Sequence, residues 1–436
     1  MDILPMYTFL YLFAFFRYFI PIEPFYISYF IETKKLNNND IINKAIPWLF
    51  VSSLFVSIFS SLLSRKIGNK ICLLLDTIAD ILVQIILCCM NNKNIFFAAL
   101  SCGFHGISTS LAHISQCIVY EIEPNNVLRN KVMGKYQVVR KIAQIISSFI
   151  AQNLRYGSGN NISSLYLSLL SITTSLIFGV FLKTKAKKEK TSFIEFIYEN
   201  GFKKYILSIY TPKVLFYSLI NILASIIYIS FEIYSNSIFI ERKRNQDIKS
   251  IYFTKILNII LYPLELLSFV IIKFLSCFDR RIIYQNKNND NILLFGYIQG
   301  LCKLVSAIVT YFVSSSTFES YVHKTICIIL VILIVLFTSM LRYFTSLLST
   351  YIFYMAIIAF STTLLRLSHT GYNKENSLEE ITSTNLFISS IIHVAITYIS
   401  KYKKSKASEK MYYYYTIAVV IFAISLGVLT YENNVK

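Results

Sequence analysis

Residues 163–192 read SSLYLSLLSITTSLIFGVFLKTKAKKEKTS: twenty residues without a charge, then ten that hold five lysines and a glutamate. A helix needs about 20 mostly apolar residues to cross the hydrocarbon core of a bilayer, and a lysine-rich stretch directly behind such a run marks a cytoplasmic loop. Upstream, runs of the same kind lie at 3–29, 41–64, 71–90, 95–120 and 132–153, which with 163–182 makes six. Downstream, the polar, basic segment continues to about residue 212, followed by runs near 213–239, 249–275, 290–313, 325–341, 346–367, 381–400 and 412–431. Six helices, a charged loop and six or seven more is the layout of a two-halved transporter, with its binding site between the halves near the bilayer midplane. The spacing therefore predicts an all-α polytopic membrane protein of twelve or thirteen spanning helices. Its N-terminal six-helix bundle covers 1–182, its basic cytoplasmic loop 183–212 and its C-terminal bundle 213–436.

Composition agrees. Of 436 residues 55% are hydrophobic and only 15% charged, and the mean hydropathy is +0.56; a soluble chain carries roughly a quarter charged residues. The net charge of +19 sits in short clusters between apolar runs, which is membrane topology and not a nucleic-acid face. The eight cysteines (Cys72, Cys88, Cys89, Cys102, Cys117, Cys277, Cys302, Cys327) fall in or beside apolar runs without a CxxC pair, so they read as buried apolar residues and not as disulfides or metal ligands. No Walker A, GxSxG or HExxH motif is present. A membrane enzyme is disfavoured, and no cofactor is expected.

Lysine and arginine in the loops set the orientation. Arg65, Lys66 and Lys70, then Arg129 and Lys131, then Lys183 to Lys190 follow the second, fourth and sixth runs. These loops and the N-terminus are expected in the cytoplasm, and the Asn161 sequon outside, open to glycosylation. With thirteen spans the KYKKSK stretch, Lys401 to Lys406, falls inside, and with twelve outside.

Ionisable residues within spanning runs are costly, so they default to pathway or pairing roles. Glu23 lies between Pro21 and Pro24, which interrupt the helical ladder and let backbone line a cavity. Asp76 and Asp80 stand one turn apart on one face and suit a proton relay, or a structural pairing with Lys135, Arg140 or Lys141. His105 and His113 share a face of the fourth run, and His113, near Ser110, belongs to the more polar stretch. Glu232 and Asn236 make a polar face on the seventh run, and Lys303 and Arg366 are single charges in apolar context. Trp48, the only tryptophan, is placed to stack on a flat heterocycle or to sit in an interfacial belt.

The stretch 21–54, PIEPFYISYFIETKKLNNNDIINKAIPWLFVSSL, resembles the reduced folate carrier and thiamine transporter family of the major facilitator superfamily. Its Pro-x-Glu-Pro-Phe segment, the later Val132 to Gly134, the Ala151-Gln152 pair and residues 382–397, TSTNLFISSIIHVAIT, keep the family's order and spacing. The resemblance implies a major-facilitator-like pair of six-helix bundles that moves a vitamin by alternating access without ATP. It puts Glu23 at the family carboxylate, in a Pro-Phe context closer to the thiamine branch. It departs at Ser110, where an acid or arginine is expected, at His113 for a tyrosine, and at Gln137 for an arginine. The family's second-run aromatics fall at Ile46 and Leu49, with Trp48 between them. Thiamine is the favoured cargo, with a reduced folate, another polar metabolite or a non-transporting receptor as alternatives. Glu23, Trp48, Ser110, His113, Glu232 and Asn236 are the expected substrate contacts, and Asp76, Asp80, Lys135, Arg140 and Arg366 the expected relay or ion-pair groups. The partners expected are a small-molecule vitamin and the lipid bilayer, most simply the plasma membrane.

Overall fold

The structure, a computed structural model, describes residues 3–115, 118–123, 126–158, 161–183, 210–245, 295–315, 320–340, 347–372, 378–402 and 406–435. In lipid a backbone has no water to bond, so each apolar run closes its hydrogen bonds as a helix. The long helices are α1 (Ile3–Tyr18), α2 (Ile46–Ile67), α3 (Asn69–Cys89), α4 (Ile95–Ser115), α5 (Asn126–Ser158) and α6 (Ile162–Phe181). They are followed by α7 (Pro212–Asn245), α8 (Phe295–Ser315), α9 (Ser320–Met340), α10 (Leu347–Tyr372), α11 (Leu378–Tyr402) and α12 (Ala407–Val435). Eight stretches among the described residues are long and apolar enough to span a membrane. Apolar side chains such as Phe55, Leu170 and Tyr398 point outward and stay exposed, as a lipid-facing surface requires.

The pairing of helices repeats. In the first six, α1 packs on α5 and α6, α2 on α4, and α3 on α4 and α6. In the second six, α7 packs on α11 and α12, α8 on α10, and α9 on α10 and α12. Adding six to each number of the first set gives a pairing of the second, which adds to these a close packing of α7 on α10. The two sets meet along α5 against α8 and α2 against α11. The apolar run at 249–275 lies outside the described residues.

The seams between helices are polar where the backbones come close. Ser52 of α2 donates to the Gly103 carbonyl of α4 at 2.7 Å, and Ser53 and Ser110 are 2.8 Å apart. Ser53 is also 3.1 Å from Ser390 of α11, and Ser60 is 2.6 Å from Ser383, so serines line the contact between the two sets. At Gly106 a Cβ would lie 2.1 Å from the Leu49 carbonyl oxygen and 2.2 Å from Ser52 Oγ. Small residues let membrane helices approach this closely. Gly106→Ala is accordingly expected to push α2 from α4, cost about 1–3 kcal/mol as overpacking does, and lower the unfolding midpoint of the purified protein in detergent. An unchanged midpoint would show that this contact is not constraining.

Past Tyr18 the chain stops being a regular helix. Pro21 and Pro24 each withhold an N–H, and the chain turns through a short 3₁₀ segment, Glu23–Phe25, and a wide π turn, Tyr29–Thr33. Its backbone groups find other partners: the Glu23 N–H donates to Ile20 O at 3.0 Å, and the Ile22 N–H donates to Ser168 Oγ of α6 at 3.0 Å. Arg155 of α5 donates to both carboxylate oxygens of Glu32 at 2.9 Å and lies over the Phe25 ring. The break is thus held firmly, and it carries Glu23 into the space between the helix sets. Asn161 departs from the sequence expectation: it precedes α6 with its side chain buried, so the sequon is not displayed on an open loop.

Candidate functional site

A cavity of about 310 Å³ lies between the two helix sets. Helical periodicity decides which residues reach it. On α5 these are Met133, Gln137, Arg140, Lys141 and Gln144; on α7 they are Ser225, Tyr228, Ile229, Glu232, Ile233 and Asn236. Both sets follow a three-and-four spacing, so each is one face of its helix. From α1 and its broken end come Arg17, Tyr18, Glu23 and Tyr26, from α3 Asp80, from α4 His105 and Ser108, and from α10 Arg366.

Two ionic clusters border the cavity. In the first, Arg17 lies between the carboxylates of α3: its Nη2 is 2.6 Å from Asp76 Oδ1 and its Nη1 is 2.5 Å from Asp80 Oδ2. Ser108 closes the arrangement, accepting from Arg17 at 2.8 Å and donating to Asp76 at 2.8 Å. His105 Nδ1 lies 3.4 Å from Asp80. Arg17, Asp76 and Asp80 are almost fully buried, and a buried cation between two carboxylates with further hydrogen bonds satisfies the conditions under which such charges persist away from water.

The second cluster joins the helix sets. Lys303 of α8 donates to Glu232 of α7 at 2.6 Å and to the Tyr228 hydroxyl at 3.0 Å, and its Nζ is 3.8 Å from Glu23 Oε1. Beside it, Asn236 donates to the Pro24 carbonyl at 2.9 Å and Ser237 to Asn38 Oδ1 at 3.0 Å.

Arg140 and Lys141 belong to neither cluster. Among the described residues neither has a carboxylate within ion-pair distance. Arg140 lies over the Tyr18 ring, 4.1 Å from its centroid, and Lys141 lies 5.8 Å from that of Tyr228. Cation–π contacts satisfy part of their charge, and both residues line the cavity.

Several sequence expectations meet here and others do not. Glu23, Asp80, Arg140, Glu232, Asn236 and Arg366 all line the cavity. Asp76 stands behind Asp80, tied to Arg17. The pairing of these aspartates with Lys135, Arg140 or Lys141 is corrected: Arg17 of α1 takes both, and Lys135, two residues off the lining face of α5, is exposed. Trp48 is corrected too. It is 56% exposed on the outside of α2, while Ile46 and Leu49 on either side of it line the cavity. Ser110 turns away from the cavity and bonds to α2. The side chain of His113 lies outside the described residues. Arg17 was not among the expected site residues and Lys141 was expected only as a partner of the aspartates, yet the rule that flagged Glu23 applies to an arginine in the apolar run FAFFRYFI. The six cysteines among the described residues form no disulfide with one another.

No family model matches the chain, and no curated protein matches it. Among solved structures it is similar to a crystal structure of the nucleoside transporter NupG, with a TM-score of 0.60 over 97% of this chain and 99% of that one, at 10% sequence identity. Two six-helix sets that share most of their internal pairings, a cavity between them and this likeness make the fold that of a polytopic membrane protein of the major facilitator type.

Proposed function

We propose that the protein is a secondary transporter that carries a small organic anion with a flat ring system, a reduced folate being a better fit than thiamine. The observation that carries this reading is the pair Arg140 and Lys141, two cations at the cavity without a carboxylate partner among the described residues. Thiamine, favoured on sequence, would need free carboxylates. Glu23 and Glu232 share Lys303 instead, and Asp80 is held by Arg17. An anion suits Arg140 and Lys141, which offer charge-assisted hydrogen bonds, and Tyr18, Tyr26 and Tyr228 offer ring faces. A nucleoside, the cargo named for NupG, is uncharged and would leave both cations unanswered.

Transport follows by rocking one six-helix set against the other around the central cavity. The lysine and arginine clusters favour a cytoplasmic N-terminus, and the plasma membrane is the simplest site for such a carrier. Uptake of a labelled reduced folate, thiamine and uridine by cells expressing the protein tests the cargo. Saturable uptake of the folate is expected, and uptake of thiamine alone would overturn the anion reading. Because Trp48 faces outward, Trp48→Phe is expected to keep uptake within about twofold of wild type, as surface changes do. A tenfold loss would return Trp48 to the site.

A further inference from the structure

Two carboxylates from opposite helix sets share one lysine. Glu232, in the same set as Lys303, is held by two donors, Lys303 at 2.6 Å and Tyr228 at 3.0 Å. Glu23, from the other set, has only the 3.8 Å contact with Lys303 and makes no side-chain hydrogen bond among the described residues. Its side chain is 22% exposed, at the cavity wall. The charged and titratable groups that face it are His105 on α4, Arg140 and Lys141 on α5, Glu232 on α7 and Lys303 on α8, with Tyr26 on its own segment.

We infer that Glu23 is a proton-binding site that couples proton movement to the opening of the cavity. A carboxylate in a site of low dielectric stays ionised only while nearby cations support it. An anionic cargo that engages Arg140 and Lys141 withdraws that support, and a proton on Glu23 replaces it. By linkage each then strengthens the binding of the other, so proton and anion travel together. The neutral acid no longer holds Lys303, which stays with Glu232, and the ionic contact between the sets at the broken end of α1 is released. The coupling to cargo rests on the anion reading above; the proton-controlled contact does not.

The test needs no cargo. Tyr166 at the start of α6 and Tyr402 at the end of α11 are exposed, one in each set. Ser168 meets Ile22, and Lys410, just past Tyr402, donates to the Ile42 carbonyl, so both lie at the end where Glu23 meets Lys303. Spin labels on cysteines at these two positions, in a background free of native cysteines, report the separation of the sets. In the wild type the distance is expected to lengthen as pH falls from about 8 to about 5. Glu23→Gln should give the long distance at every pH. Glu232→Gln leaves Lys303 to Glu23 alone and should shift the population toward the short distance, the opposite direction. A wild-type distance that ignores pH, a Glu23→Gln protein that keeps the wild-type response, or both variants moving the same way would each overturn the proposal. Absence of folate flux with the pH response intact would overturn the cargo and leave the proton site standing.

Discussion

Replacing Arg17 with methionine is expected to destabilise the protein by about 3–5 kcal/mol, the cost of breaking a buried ion pair by removing one partner. The change leaves Asp76 and Asp80, 1% and 2% exposed, as two carboxylates one turn apart with no guanidinium between them. Like charges that close in a site of low dielectric repel strongly. The unfolding midpoint in detergent should fall steeply, and the yield of folded protein with it. The triple variant Arg17→Met, Asp76→Asn, Asp80→Asn removes all three charges and should recover most of the loss, because an uncharged replacement of a buried cluster is often neutral. A single variant as stable as wild type would mean that Arg17 does not hold the two aspartates.

Lys141 is expected to behave in the opposite way. It is buried, and no carboxylate pairs with it among the described residues, so it costs desolvation without an ion pair in return. Lys141→Met should keep or raise the unfolding midpoint while it reduces anion uptake by about ten- to a hundredfold, the worth of a charge-assisted hydrogen bond at about 1.5–3 kcal/mol. Arg140→Met should lose uptake similarly, with a smaller change in stability because its stacking on Tyr18 is lost as well. Function separated from stability in this way is what a site maintained for a ligand shows. Uptake that survives both substitutions would remove these cations from the site.

The helical class and the two-set layout were legible because the bilayer imposes a length and an apolarity that any spanning run must meet. Charges such as Glu23, Glu232 and Arg366 were legible for the same reason, since an ionisable side chain in such a run stands out. Which way a side chain points was not. Lipid-facing and core-facing sides of a membrane helix are both apolar, so α2 gave no sign that Trp48 turns outward while Ile46 and Leu49 turn inward. Partners were also hidden. Asp76 and Asp80 are met by Arg17, 59 and 63 residues away, and only the folded chain, in which the Arg17 side chain reaches α3, makes that pairing visible. Ser110 drew notice because it stands where the resembling family has an acid or an arginine, but membrane helices use serine as interhelical glue as readily as for a ligand.

Counterflow in proteoliposomes tests the central claim most directly. Vesicles holding the purified protein are loaded with an unlabelled reduced folate and diluted into a trace of the labelled compound. A carrier that exposes one cavity to each side in turn predicts transient accumulation of label above the outside concentration, abolished in Lys141→Met and absent from protein-free vesicles. No accumulation from folded wild-type protein, or accumulation in the same assay with thiamine and not with the folate, would contradict the account.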